Sequence, residues 1–188
     1  MSRPLPPHPA KLVIGMLLRE RELFAEMAAV LAARFGPPDL VSPWLAFGYT
    51  AYYEQEMGAP LWRRLLAFSG LLPQEGLAQI KLETNALEQA YAAEGRRRVN
   101  IDPGYLLLER FVLATGKNFS HRIYIGRGIY ADLTLVYRRG GFQPLPWTYP
   151  DYADAPLSGF LTRVRRKYAA DLAAAHAGAL RGAVSSHD

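Results

Sequence analysis

Arg98-Val99-Asn100-Ile101-Asp102-Pro103-Gly104-Tyr105 is the stretch on which the fold turns. Taken with a period of two, Val99 and Ile101 face one way, and Arg98, Asn100 and Asp102 face the other. One side suits a helical layer. The other lines up a cation, an amide and a carboxylate, which suits a site. Pro103-Gly104 has the fixed φ and the permissive φ of a type II turn, so the strand is expected to stop just after Asp102.

Working backwards, Gly95 closes a helix that runs from Pro73 to about Ala93, with Leu77, Ile80, Thr84, Leu87 and Tyr91 as its apolar stripe. Before it, Trp44–Tyr53 and Leu61–Phe68 read as strands separated by the turn residues Gly58 and Pro60. Glu20–Phe35 reads as a helix, with Leu23, Met27, Val30, Leu31 and Arg34 at helical spacing and Gly36-Pro37-Pro38 as its stop. Lys11–Leu17 reads as a buried strand. The order is βαββαβ, the ferredoxin-like split pattern, in which both helices cover one sheet face.

Working forwards, Tyr105–Thr115 fits strand or helix equally. His121–Ile125 and Ile129–Tyr137 read as strands, and Arg139-Gly140-Gly141 as a hairpin turn into Phe142–Leu145. Ala155 to about His176 is a last helix, Leu157, Phe160, Leu161, Val164, Tyr168 and Leu172 inward. The expected class is therefore α+β: a ferredoxin-like βαββαβ core extended by antiparallel strands and a C-terminal helix. Residues 1–10 are expected to be a flexible proline-rich leader, 11–176 one domain and 177–188 a flexible tail.

A chain of 188 residues is long enough to bury the core of one domain. It has no cysteine, which excludes disulfides and thiolate metal sites and accords with a reducing compartment. No apolar run approaches the roughly 20 residues that span a bilayer, and the first ten residues lack the apolar core of a signal peptide. No membrane partner and a cytoplasmic location are expected. The net charge of +5 gathers at Arg96-Arg97-Arg98, Arg138-Arg139 and Arg163–Lys167, which suits an anionic ligand or nucleic acid, or a dispersed solvated surface. Of 22 basic residues only Lys11, Lys81, Lys117 and Lys167 are lysine, so an interior lysine is a candidate for its compact ammonium.

If the helices cover one sheet face, the polar half of each strand belongs to the other. Thr50, Tyr52 and Glu54 share a parity, with Glu56 just beyond; so do Arg122 with Tyr124, and Tyr130 with Asp132 and Thr134. Carboxylates at strand ends suit Mg²⁺, so Glu54, Glu56 and Asp102 are the candidate metal ligands or acid–base groups. Lys81, Arg98, Lys117 and Arg122 are candidates for a phosphate, and Thr50, Tyr52, Asn100 and Tyr124 for the rest of a ligand. His121, the one histidine within the expected sheet, is a candidate proton carrier. The same residues would equally form cross-strand ion pairs on a wet face. Lys81 has Asn85 and Glu88 at i+4 and i+7, and either pairs along its helix or reaches the site.

Familiar motifs are missing. Thr115-Gly116-Lys117-Asn118 is no P-loop, because Phe111 stands where the first glycine is needed and Asn118 replaces Ser/Thr. Gly126-Arg127-Gly128-Ile129-Tyr130-Ala131 spells a dinucleotide fingerprint, but a strand follows where a helix is required.

Tyr49-Thr50-Ala51-Tyr52-Tyr53-Glu54-Gln55-Glu56-Met57-Gly58, then Lys81, Asn100-Ile101-Asp102-Pro103-Gly104-Tyr105, Lys117, His121-Arg122-Ile123-Tyr124 and Thr148-Tyr149-Pro150-Asp151-Tyr152 together resemble a bacterial family of single-domain proteins filed as a domain of unknown function. The resemblance runs from Lys11 to about Tyr168 and implies no activity. Its recurring motifs fall on the residues picked out by strand parity. The leading expectation is a metal-assisted enzyme or binder acting on a phosphate-bearing small molecule or nucleotide. Two others stand beside it: a protein-interaction domain using Trp147–Tyr152, and an RNA-binding module using Arg163, Arg165, Arg166 and Lys167.

Overall fold

The computed structural model describes residues 3–184, the last helix by backbone alone beyond residue 177. The elements in order are β1 (Ala10–Leu18), α1 (Leu23–Phe35), β2 (Pro38–Val41), β3 (Leu45–Phe47), α2 (Glu54–Met57), β4 (Leu61–Leu72), a 3-10 turn at Gln74–Gly76, and α3 (Leu77–Ala90). There follow β5 (Val99–Leu106), β6 (Arg110–Thr115), β7 (Arg122–Gly126), β8 (Ile129–Arg138), β9 (Gly141–Pro144), α4 (Pro150–Ala153) and α5 (Ala155–Val184). None of the described helices is long and apolar enough to cross a membrane.

β1 is buried along its whole length, as a run of Leu, Val, Ile and Met requires, and it takes the middle of one large antiparallel sheet ordered β2-β4-β1-β5-β6-β8-β7. β3 pairs with β4 beyond β2, and β9 pairs with β8 beyond β7. Leu12, Ile14, Met16 and Leu18 of β1 pack with Leu66, Phe68, Val99 and Ile101 against Met27 and Leu31 of α1 and Ile80 and Leu87 of α3. Both of these helices therefore lie on one face, as the periodicity predicts.

The opposite face is not bare. Leu157, Phe160, Leu161, Val164 and Tyr168 of α5 pack on Val13, Leu65, Ala67, Leu106 and Phe111, and the Tyr168 hydroxyl donates to Pro9 O at 2.7 Å. The molecule thus has three layers. α5 covers the half of the second face toward Ala10 and Leu106 and leaves the half toward Asn100 and Asp102.

Three local expectations are corrected. Pro103-Gly104 makes no turn, because β5 runs straight through it to Leu106. Ile101 gives both its N–H and its C=O to side chains of α3, so the odd-numbered residues of β5 direct their backbone groups away from β1. Pro103 shares that orientation and has no N–H to leave unpaired on an open edge. Gly104 is needed for space rather than for φ: a Cβ there would lie 2.4 Å from Val112 O on β6. Tyr105–Thr115, ambiguous in sequence, is the hairpin of β5 and β6, closed by Leu107 N–H donating to Arg110 O at 2.9 Å.

Trp44–Tyr53 is mostly not strand. The outer edge of β4 is paired first by β2, which the sequence reading missed, and then by β3. Pro38 opens β2 on an edge, where a missing donor is harmless. Ser42 carries the pairing across the break: its N–H donates to Leu65 O, and its hydroxyl accepts from Leu65 N, each at 2.9 Å. After Phe47 the chain leaves the sheet. Thr50 Oγ1 accepts from Tyr52 N at 3.1 Å and starts the turn into α2, so Thr50, Tyr52 and Glu54 share no strand face. At the other end α5 continues past His176 to Val184, so residues 177–184, expected as flexible tail, are helix, and the rest of that tail, 185–188, lies outside the described residues.

Lys11 fastens the second layer. Fully buried in β1, its ammonium donates to Asp39 of β2 at 2.7 Å and to Asp171 of α5 at 2.8 Å, with Lys167 on the outer side of both carboxylates. Lys11→Ala is expected to cost roughly 3 kcal/mol or more in urea denaturation, since it strands two half-buried carboxylates together. Lys167→Ala, at a half-exposed position, is expected to cost under about 1 kcal/mol. Burial works against the Asp171 charge, but hydrogen bonds from Lys11 and Lys167 outweigh it and hold the carboxyl below its usual range. A depressed carboxylate stabilises above its unfolded pKa of about 4, and that contribution fades as pH falls through the folded value. The stability gap between the native chain and Asp171→Asn should therefore be constant above pH ~5 and shrink in acid.

Candidate functional site

β5 and β6 are paired only where Gly104, Tyr105 and Leu106 meet Leu113, Val112 and Phe111. Toward Val99 the outer edge of β5 has no strand beside it, and a buried edge must find other partners for its backbone groups. Two side chains of α3 supply them. Glu88 Oε1 accepts from Ile101 N at 2.6 Å, and Lys81 Nζ donates to Ile101 O at 2.8 Å. Burial pushes the Glu88 carboxyl up, while Lys81 and the Ile101 N–H pull it back. The Lys81–Glu88 spacing thus serves β5 and not an ion pair along the helix.

The gap between the parted strands opens into a cavity of about 720 Å³. Its walls include Tyr53, Arg63, Lys81, Asp102, Lys117 and Tyr149. Residues from β4, β5, β6, α3, the loop before α2 and the loop before α4 converge there, which is the kind of concave place where small ligands bind.

A chain of charge-assisted hydrogen bonds holds one wall. Arg97 grips Glu56 through Nε at 3.0 Å and Nη2 at 2.6 Å, and its Nη1 reaches Glu88 Oε2 at 3.0 Å and Asn100 Oδ1 at 2.7 Å. Hydrogen bonding from Arg97 lowers the Glu56 carboxyl below its usual range. With its oxygen taken by Arg97, the Asn100 amide must present its NH₂ to Asp102 Oδ2, at 2.8 Å. Arg63, only 4% exposed, forms the floor: Nη1 stands 3.2 Å from the Tyr152 hydroxyl and 3.4 Å from Asp102 Oδ2, and Nε 2.8 Å from Asp151 Oδ2, off the line of a hydrogen bond. Burial raises the carboxyl of Asp151 and the phenols of Tyr53 and Tyr152.

Against these paired cations, Lys81 and Lys117 carry no ion pair among the described residues. Lys117 is exposed at the rim, its ammonium 4.6 Å above the Tyr52 ring and 3.2 Å from the Tyr52 hydroxyl. On the other side of that loop the Tyr49 hydroxyl donates to Asp154 at 2.5 Å, and this bond pushes the phenol up to about 12.

Of the residues singled out in the sequence, Thr50, Tyr52, Lys81, Asn100, Asp102 and Lys117 line the cavity. Glu56 stands behind Arg97, and Glu54 is exposed on α2 without a side-chain partner among the described residues. Arg98 pairs with Glu20 at 2.6 Å, away from the cavity. His121 and Arg122 both bind Asp132 from behind, at 3.2 Å and 2.9 Å, and Arg122 also donates to the Tyr149 hydroxyl at 2.7 Å. His121 is stacked on Trp147 with ring centroids 4.9 Å apart. Tyr124 packs on Tyr130 instead. Glu54, Glu56 and Asp102 are not brought together, and no group of three His, Asp or Glu side chains fit to hold a metal gathers among the described residues.

Arg63, Arg97, Glu88 and Tyr53 went unselected. Arg63 had a signal: it shares the parity of Leu61 and Leu65, so an arginine stands at an inward position. Arg97 was hidden in a run of three arginines that reads as solvated charge. The cap on Ile101 gives a direct check. Lys81→Met, which keeps the packing stem, is expected to cost about 1–3 kcal/mol in urea denaturation, because the Ile101 carbonyl then lies buried without a donor.

No curated protein and no solved structure matches the chain. A family model matches residues 8–168. The chain therefore belongs to the family described as a domain of unknown function (DUF4416).

Proposed function

We propose that the chain binds a small phosphate-bearing molecule or nucleotide in the cavity between β5 and β6. The observation that carries this reading is the contrast among the cations of the walls. Arg63 and Arg97 are consumed by carboxylates, while Lys81 and Lys117, two of only four lysines in the chain, line the cavity without an ion pair among the described residues. A compact ammonium with spare donors is the group that takes a phosphate oxygen. Tyr52, Tyr53 and Tyr149, which line the cavity, are the aromatic groups at hand for the remainder of the ligand. A Mg²⁺ ion carried jointly by Glu54, Glu56 and Asp102 is no part of this reading, since Glu56 is committed to Arg97 and Glu54 stands outside the cavity.

We also take the first half of the chain as a ferredoxin-like unit, on the support of its β2-β4-β1-β5 order with α1 and α3 on one face, and we place the protein in the cytoplasm, in keeping with its lack of cysteine. A second reading, a protein-binding surface, draws on Phe119, Ile123 and Tyr124, exposed at and beside the edge strand β7. The RNA reading has less support, because Arg165 caps Leu108 O and Lys167 is held by Asp39 and Asp171.

Calorimetric titration with nucleoside 5′-monophosphates tests the first reading. Saturable binding is expected, weakened at least tenfold in Lys117→Met and falling with salt, with no change in Tm because Lys117 is exposed. Affinity unchanged in that variant, or no binding at all, overturns it.

A further inference from the structure

We infer that Asp102 sets the specificity of this cavity, and that the phosphate-bearing ligand presents an N–H donor to it, as an amino-bearing or imino-bearing heteroaromatic ring does. The inference rests on the reading that the cavity takes a phosphate-bearing ligand. Its own support is the distribution of hydrogen bonds around one carboxylate.

Asp102 Oδ2 is saturated from within: Asn100 Nδ2 donates to it at 2.8 Å, and Arg63 Nη1 stands at 3.4 Å. Asp102 Oδ1 accepts nothing among the described residues, although the residue lines the cavity and its side chain is 22% exposed. An accessible carboxylate oxygen with no donor from the protein is free to accept one from a ligand, and a phosphate would be repelled by it. The anionic end of the ligand therefore belongs with the lysines, and its donor end with Asp102.

The orientation of Asn100 is fixed by Arg97, which occupies its oxygen, and Arg97 is fixed in turn by Glu56 and Glu88. The acceptor is thus held in place before any ligand binds. Glu56, Arg97 and Asn100 act here as positioning residues.

The same geometry makes Asp102→Asn informative. Asn100 Nδ2 and Arg63 both donate to the Oδ2 position, so the new amide must place its carbonyl oxygen there. Its NH₂ then replaces Oδ1 in the cavity. The substitution turns an acceptor into a donor without changing shape.

The experiment titrates the full chain and Asp102→Asn with two probes, adenosine 5′-monophosphate and purine riboside 5′-monophosphate. The second keeps ring, sugar and phosphate and lacks the amino group. The native chain is expected to bind the amino-bearing probe at least tenfold more tightly, a margin of the kind that sites built to hydrogen-bond a polar group show against analogues lacking it. Asp102→Asn is expected to abolish or reverse that preference while retaining affinity for the amino-free probe. Cytidine and guanosine 5′-monophosphates cover other placements of the donor on the ring.

If the amino-bearing and amino-free probes bind alike to the native chain, the role of Asp102 is overturned and phosphate binding stands. If no monophosphate binds, the phosphate reading falls and this inference with it. Should Asp102→Asn fail to fold, as its Tm would show, the native preference between the two probes decides alone.

Discussion

The backbone N–H and C=O of Ile101 have no strand beside them, and much of the molecule is arranged around how they are satisfied. A buried peptide group left unpaired costs about 1–3 kcal/mol, so a strand cannot end its ladder inside a protein without a substitute. Here the substitute is a helix. Lys81 and Glu88, two turns apart on α3, act as the missing neighbour for β5. The helix must therefore lie close along that edge, and β6 is free to diverge from it. A cavity follows from the divergence, between a strand capped by side chains and one that is paired on its other side with β8.

The charges near the cavity divide by what they do. Arg63 and Arg97 are tied into carboxylates from β5, α2, α3 and α4, and such pairs add shape more surely than stability. They fix where Asn100 and Asp102 point. The two lysines at the cavity are left out of these ties. A chain that otherwise prefers arginine has two of its four lysines in the wall of one cavity.

The layer structure was legible because it rests on periodicity. The stripes of α1 and α3 and the alternation of β1 and β5 each name the face they bury, and Leu157 to Tyr168 does the same for α5. What failed were the places where a residue type has two physical uses. Pro103-Gly104 has the letters of a turn, yet the proline serves an unpaired edge and the glycine a close backbone approach. Pro38 likewise opens an edge strand that its sequence neighbours hide. The site was partly legible for a related reason. Asn100 and Asp102 were found because β5 really is a strand there, whereas Glu54 was grouped with Thr50 and Tyr52 through a strand that the Thr50 turn dissolves. Arg97 and Glu88 could not be found from local pattern at all, because their roles depend on contacts between elements distant in sequence.

Pro103 has one more consequence. Because its nitrogen is alkylated, β5 has no backbone donor to offer β6 at that position, so the gap that opens beside Gly104 is written into the sequence. Along the cavity wall runs the short segment that Tyr49 ties to Asp154 at one side and Tyr52 to Lys117 at the other.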